Sequence, residues 1–552
     1  MDGSCLQSDR HHRCEVSRHS WLQGSRGKDS LEVEIQCPDG FLPFTTLVWW
    51  WGGCTIHSIL SNMSVASRVA DLKLRYEAAG QGHVVAHLND DDDDDDDDKN
   101  PDAVAFLNQL EGIAVEQLTP LLQAAQAVHA AGGGAITPYK GTIGQSTDAT
   151  SVERWRPIGM EAIRQGHVAV LVLAGGQGTR LGYSGPKGMY NIQLPSQKTL
   201  FCLLAERILR LRQLAVADNN NNNNNETTAP LPFYVMTSPL NHAETEAYFQ
   251  ENNYFGLGQE NVVLFQQGML PCLTTEGKII LESKYKVAMA PDGNGGVYPS
   301  LSQSGALADM ERRGVLYLHI CSIDNALVKP ADPVFIGHCI AQNADCGNKS
   351  VWKSHAHEKV GVVALRDGKP CVVEYSELSQ DMAEQTDAQG RLVLGAGNIC
   401  NHFYTLDFLR HVVLQHMDHL YHIAYKKIPY YDAAKDATVT PVTHSGLKLE
   451  SFIFDVFALS QRFAVFETQR SDEFAPVKNA PGASTDSPDT ARRLISERSQ
   501  RWLTAVGATL VVDGNDDDDD DEACCEVLPL TSYAGEGLEA YQGETIKIPF
   551  MI

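Results

Sequence analysis

Arg180 and Lys187 follow a run of nearly bare backbone. The stretch from Val168 to Arg207 reads VAVLVLAGGQGTRLGYSGPKGMYNIQLPSQKTLFCLLAER. Glycines at 175, 176 and 178 let backbone N–H groups approach an anion closely, and the two cations can neutralise it, so these residues offer phosphate binding. Two familiar glycine fingerprints do not fit. G-x-G-x-x-G needs glycine where Leu181 stands. G-x-x-x-x-G-K-[ST] is broken because Lys187 follows Pro186 and precedes Gly188. The pattern present is L-A-G-G-x-G-T-R-L-G with a downstream P-K-G.

Other segments offer complementary chemistry. Asp324, in Cys321-Ser322-Ile323-Asp324-Asn325, sits where a buried strand should end. A carboxylate there can hold Mg²⁺, which takes one or two carboxylates beside substrate phosphates; it can equally cap a helix. Gln267 carries a donor and an acceptor, enough to read a nucleobase edge or to sit on the surface before a turn. Gly293 and Asn294 lie in Ala290-Pro291-Asp292-Gly293-Asn294-Gly295-Gly296, which suits a flat ring on bare backbone or a plain turn. Glu374 (beside Tyr375) and Asn398 have the groups to bind sugar hydroxyls, although either can be structural. Lys448 and Lys478, taken singly, read as solvated lysines. His411, His416, His419 and His422 fall on a predicted helix. A metal site is conceivable there, but a polar helix face accounts for them better.

The elements that must position these groups alternate in type. Strands are expected at Val168–Leu173, Phe233–Met236, Val262–Phe265 and Val315–Ile323. Helices are expected from about Thr199, over Ala243–Asn252 and over Leu307–Arg313. This alternation predicts an α/β fold with a mostly parallel sheet flanked by helices, and ligands at the carboxyl ends of its strands. Residues 1–62 show no periodicity and are expected to be a disordered extension or an early start before Met63. Residues 63–165 read as a helical N-terminal region, with one helix from Val65 and a second over Asp102–Ala131. The catalytic domain is expected at 166–476, and a small β-rich C-terminal domain at 477–552.

Composition narrows the class. The chain has 552 residues, a net charge of −26 and 43% hydrophobic residues. Much of the negative charge lies in two low-complexity runs, Asp90–Asp98 and Asp516–Asp521, which with Asn219–Asn225 read as solvated loop insertions. An acidic chain argues against nucleic acid as a partner. The apolar stretch near Phe44–Trp51 is too short and too interrupted for a membrane span. Thirteen scattered cysteines without paired C-x-x-C spacing fit free thiols in a reducing cytoplasm.

The glycine loop resembles that of sugar-phosphate nucleotidyltransferases. In chain order LAGGQGTRLG, QQGMLP, APDGNGG, VEYSE and KNA closely resemble the eukaryotic UDP-N-acetylglucosamine (UDP-N-acetylhexosamine) pyrophosphorylases. The likeness runs from about Asp71 to Tyr541 and includes Ser532-Tyr533-Ala534-Gly535-Glu536-Gly537-Leu538-Glu539. It implies a GT-A-like nucleotidyltransferase domain that makes UDP-N-acetylglucosamine and pyrophosphate from UTP and N-acetylglucosamine 1-phosphate, with N-acetylgalactosamine 1-phosphate as a further substrate to test. By this resemblance Leu173, Ala174, Gly175 and Gly176 hold the uridine, and Gln267 and Gly293 meet the uracil edge. Arg180 and Lys187 meet the triphosphate. Asn294, Glu374, Tyr375 and Asn398 hold the amino sugar. Asp324 meets the UTP phosphates through Mg²⁺ (or Mn²⁺), Lys448 the nucleotide phosphates, and Lys478 the sugar phosphate. A UDP-glucose or broad UDP-sugar pyrophosphorylase is the nearest alternative, and a catalytically silent regulatory subunit of the same fold is an alternative of another class. The expected partners are the two substrates, with no nucleic acid and no membrane; a homodimer stays open.

Overall fold

The computed structural model describes residues 64–88, 100–130, 133–217, 229–417, 420–512 and 524–552. The N-terminal 1–62 segment, the Asp and Asn runs and His419 lie outside the described residues. An eleven-stranded sheet organises the chain. In chain order its strands are β1 (Ile136–Pro138), β2 (Ile143–Gln145), β3 (Val168–Leu173), β4 (Phe233–Thr237), β5 (Val262–Gln266), β6 (Tyr317–Ser322), β7 (Cys346–Trp352), β8 (Val362–Arg366), β9 (Lys369–Val373), β10 (Ala396–Thr405) and β11 (Phe463–Thr468). Across the sheet they run β2–β11–β7–β10–β6–β3–β4–β5, and β1, β8 and β9 extend it beside β10. In the main path only β10 is antiparallel to its neighbours; the other pairings are parallel.

All six residues of β3 are buried. Val168, Val170 and Val172 enter one apolar core, while Ala169, Leu171 and Leu173 enter another on the opposite face. Strand side chains alternate between faces, so a strand covered on both sides reads as an unbroken apolar run. On the first face lie the helices Ala149–Arg164, Leu200–Ala217 and Pro333–Ala341, through Trp155, Phe201 and Phe335. On the second lie Val297–Gln303, Ala306–Arg312 and Leu406–His411, through Tyr298, Leu307 and Phe408.

Three expectations change. The second helix expected over Asp102–Ala131 is two helices, Pro101–Glu111 and Val115–Ala130. The break falls at Gly112, whose lack of a side chain makes continuing the helix costly. Together with Val65–Ala78 they pack on Leu273, Ile279, Val287, Leu447 and Leu449, and form a second lobe with β-hairpins inserted in the catalytic segment. The C-terminal segment contains an 18-residue helix, Pro488–Ala505, with short strands packed against it. Its apolar positions serve that helix at 3.6-residue spacing, which short β patterns had masked. The histidine helix does not form: the helix ends at His411, His416 follows a 3₁₀ turn and His422 starts a strand. His422 instead pairs with Asp455 at 3.0 Å, and no metal-ligand cluster occurs among the described residues.

Candidate active site

Parallel register brings the ends of β3, β4, β5 and β6 to one edge. Leu173 lies opposite Ser322 and Met236, and Thr237 opposite Gln266. The glycine turn, Gln267 and Asp324 all leave the sheet from this edge. Ala174 N–H donates to the Met236 carbonyl at 2.8 Å, extending the ladder by one residue. The chain then turns away, with its carbonyls held by Asn241: Nδ2 donates to Ala174 O at 3.0 Å and to Gly176 O at 3.4 Å. Gly176 is exposed, and a Cβ there would meet nothing within 4 Å. Gly175 lies against Gln267, whose Oε1 would sit 2.9 Å from an added Cβ. Gln267 is anchored by its own N–H on the Thr237 carbonyl at 2.8 Å. The glycine turn and the glutamine thus form one surface.

The other wall is the Pro291–Gly296 turn. Gly293 has φ 89°, and a Cβ would overlap the Ser451 carbonyl, so glycine is required on both counts. Asp292 is buried beneath this turn with Oδ1 unpartnered, and burial raises its carboxyl to about 6. Asn294 Oδ1 accepts from Ile453 N at 2.9 Å, which leaves its amide nitrogen to donate.

Lys187 reaches the same edge because its N–H donates to Gly176 O at 3.3 Å, closing the loop on itself. Burial lowers its ammonium pKa. Asp324 opposes that shift, and Lys478 and Arg180 reinforce it. These four charges, spread over almost 300 residues of sequence, therefore share one electrostatic neighbourhood. Among the described residues none supplies an ion pair or hydrogen bond to the Lys187 or Lys478 ammonium, the Arg180 guanidinium or the Asp324 carboxylate. Three cations and a carboxylate left to a ligand are suited to phosphates and a divalent metal. The helix-cap reading of Asp324 falls away, since the next helix is capped by Asp332. Lys478 comes into place because Val477 N–H donates to Asp324 O at 2.8 Å and Asn325 pairs with Pro476 across an isolated bridge.

The sugar-type residues lie along β9 and β10. Asn398 N–H donates to Gly361 O at 2.8 Å, and Glu374 Oε1 would be 3.1 Å from a Cβ on Gly361, so the two flank that glycine. Burial raises the Glu374 carboxyl and Glu377 adds to the rise. Tyr375 is half exposed. Asn398 Oδ1 contacts His402 Nε2 at 3.1 Å. A register shift opposite Asn348–Ser350, with Cys400 at φ 53°, kinks β10 and aims Asn398. Lys448 stands apart, on the strand Gly446–Glu450 near Cys272 and outside the charges that bear on Lys187.

Sequence reasoning missed Asn241, Asp292, His402 and Asp486. Burial raises the Asp486 carboxyl, against the nearby Lys478 and with the nearby Asp324, which puts it in the same cluster. Asn241 reads locally as an ordinary helix cap, and His402 as one more residue of an apolar strand. Only Asp292, inside a glycine-rich turn already singled out, carried a usable local signal.

A profile of the UTP–glucose-1-phosphate uridylyltransferase family matches residues 145–515. UDP-N-acetylhexosamine pyrophosphorylase-like protein 1 of Mus musculus is 43% identical over 505 residues, covering 87% of this chain and 96% of the relative. UDP-N-acetylglucosamine pyrophosphorylase of Saccharomyces cerevisiae is 43% identical over 412 residues, 74% of this chain and 82% of the relative. The crystal structure of the uridine diphosphate N-acetylglucosamine pyrophosphorylase from Trypanosoma brucei superposes with a TM-score of 0.73 at 30% identity, covering 87% of this chain and 95% of that one. Likeness of this extent, in sequence and in fold, means that the chain belongs to the UTP–glucose-1-phosphate uridylyltransferase family, among its UDP-N-acetylhexosamine pyrophosphorylases.

Proposed function

We propose that the chain transfers the uridylyl group of UTP to N-acetylglucosamine 1-phosphate, releasing pyrophosphate. The observation that carries this reading is the set of unpaired charges, Arg180, Lys187, Asp324 and Lys478, at the carboxyl edge of a pyrophosphorylase sheet. A sugar-phosphate oxygen forms a bond to the α-phosphorus while the bond to the bridging oxygen breaks, and pyrophosphate leaves with the electron pair. One anion attacks another, so lowering charge repulsion and fixing the line of attack are the main tasks. Lys187 and Arg180 face the triphosphate and Lys478 the sugar phosphate. No protein nucleophile is needed, and Cys400, the thiol near Asp324 and Lys478, is held protonated by burial.

Uridine lies on Leu173–Gly176 with Gln267 and Gly293 at its base. Asn294, Glu374 and Asn398 hold the amino sugar, with Tyr375 at its rim. Lys448 serves the nucleotide phosphates from the strand Gly446–Glu450. The unpartnered Asp324 carboxylate suits Mg²⁺ or Mn²⁺, which would neutralise phosphate charge there. The nine described cysteines are free thiols, which supports a cytoplasmic setting. No described helix is long and apolar enough to cross a membrane.

The test is pyrophosphate release from UTP with GlcNAc 1-phosphate, GalNAc 1-phosphate and glucose 1-phosphate in turn. Faster turnover with glucose 1-phosphate than with either amino sugar would overturn the substrate assignment. No release with any of the three would favour the silent subunit.

A further inference from the structure

Behind the catalytic edge lies a charged group that the reaction does not touch. Lys349, on β7, is fully buried, with its ammonium 2.5 Å from Asp332 Oδ2 and 2.6 Å from Glu473 Oε2. Its amine also lies over Phe335 and Phe466, at 5.3 and 5.7 Å from the ring centres. Burial pulls the Lys349 pKa down, but Asp332 and Glu473 outweigh it and hold the ammonium above its usual range. Asp332 moves the other way: burial raises it, and Lys349, with Lys329 and the Val334 N–H, more than compensates. The site therefore carries true charges. A buried pair of this kind adds little net stability over apolar side chains of similar size, so stability alone does not account for its presence.

The two acids terminate the two segments that hold the reacting groups. Asp332 ends the loop that starts at Asp324 and caps the following helix. Glu473 begins the segment that leads to Lys478, and its carbonyl accepts from Asn325 Nδ2 at 2.7 Å. Between them the loops are laced together. Ala475 N–H donates to Asn325 Oδ1 at 2.9 Å, Ala326 N–H to Ala475 O at 3.0 Å, and Val477 N–H to Asp324 O at 2.8 Å. Thr468 Oγ1 donates to the other carboxylate oxygen of Glu473 at 2.8 Å, and Lys329, from the first loop, lies 3.6 Å from that same oxygen.

We infer that Lys349 is a positioning residue that locks the Asp324 loop to the Lys478 loop and so sets the relative placement of the two substrates' phosphate groups. The inference rests on the roles given above to Asp324 and Lys478. Each of those residues meets a different substrate, so loosening the lock misaligns attack without weakening either substrate's own contacts.

A charge-compensated variant tests it, because the single change would perturb the fold. Lys349→Met strands two buried acids. The triple change Lys349→Met, Asp332→Asn, Glu473→Gln keeps volume and removes all three buried charges, leaving only the part-exposed Lys329 without its Glu473 partner, and Asn still caps a helix. In the triple variant, hydrogen exchange at the Ala326, Ala475 and Val477 amides should speed by about tenfold or more while β3 amides stay protected. At a temperature where the variant is fully folded, kcat should fall by about tenfold or more with both KM values within about threefold. In a Lys478→Ala background the same change should cost less than about twofold, because its target is already gone. Unchanged exchange at the three amides, kcat within about twofold of wild type, or full additivity with Lys478→Ala would each overturn the inference and leave Lys349 a packing element. If wild-type protein releases no pyrophosphate, the functional reading fails, and the exchange measurement still decides whether Lys349 joins the loops.

Discussion

Lys187 and Lys478 come from distant parts of the chain and share one neighbourhood in which, among the described residues, neither ammonium makes a direct ion pair, although Asp324 bears on Lys187 and Asp486 lies near Lys478. A cation left unpaired near other cations is unfavourable until an anion arrives, so each should matter most when phosphate charge is rearranging. Lys187→Ala and Lys478→Ala are each expected to raise the kcat barrier by about 2–4 kcal/mol, with KM moved less. Steady-state kinetics of Lys478→Ala is the sharper check, because a merely solvated lysine at that position would change neither constant. Asp324→Asn keeps shape and removes charge, and should lower kcat by a factor on the order of 10². Near-normal turnover of that variant at ordinary Mg²⁺ concentrations would remove Asp324 as a metal ligand. Asp292 gives a pH signature. Its carboxyl rises from 3.8 to about 6 because it is buried with Oδ1 unpartnered, which corresponds to about 3 kcal/mol of lost stability once it is ionised. The folded state holds that proton more tightly than the unfolded one. The contribution is therefore fully present below about pH 4 and is lost as pH rises through about 6. Asp292→Asn removes the loss, so the melting temperature of the variant relative to wild type should be more favourable at about pH 7.5 than at about pH 4. An equal difference at both pH values would mean that the carboxylate has a partner in solution.

At the scale of elements, the close approach of two helices sets where the Asp324 loop can end. Ala149–Arg164 and Pro333–Ala341 touch through Gly159 and Gly337. A Cβ on Gly159 would overlap the Pro333 carbonyl, and one on Gly337 the Trp155 carbonyl. Pro333 directly follows Asp332, the residue that Lys349 holds, so the contact lies next to the active loop. Gly337→Ala is expected to cost about 1–3 kcal/mol of stability by overpacking against backbone that cannot retreat. Thermal or urea unfolding reads this directly, and a cost under about 0.5 kcal/mol would show that the helices can separate without penalty. The same logic explains why the glycine turn holds its shape. Asn241, from the next helix cap, fastens its carbonyls, and Gln267, from the strand after that, fills the space that a side chain at Gly175 would have taken.

At the scale of the whole molecule, much was legible in the sequence. The apolar run Val168–Leu173 announced a strand buried on both faces, since a run without alternation needs cover on both sides. The glycine turn, Lys187 and Asp324 point to phosphate chemistry by residue type and strand-end position, which are local properties, and the structure brings them to one edge of the sheet. The chain's order of motifs carried the family resemblance, and the strand expectations at Phe233, Val262 and Val315 fall on β4, β5 and β6. The histidine helix and the single long helix over 102–131 were read from spacing alone, and spacing does not register that the chain breaks at Gly112 or turns after His411. What only the tertiary structure decided is which distant residues share a neighbourhood. Lys478 reaches Lys187 through the pairing of Val477 with Asp324. Asn398 points where it does because β10 bulges at Cys400. Lys349 lies between Asp332 and Glu473 because three sheet and loop segments converge there. Such meetings depend on long-range register and close packing, which no local window of sequence encodes, whereas strand burial and turn chemistry follow from neighbours a few residues apart.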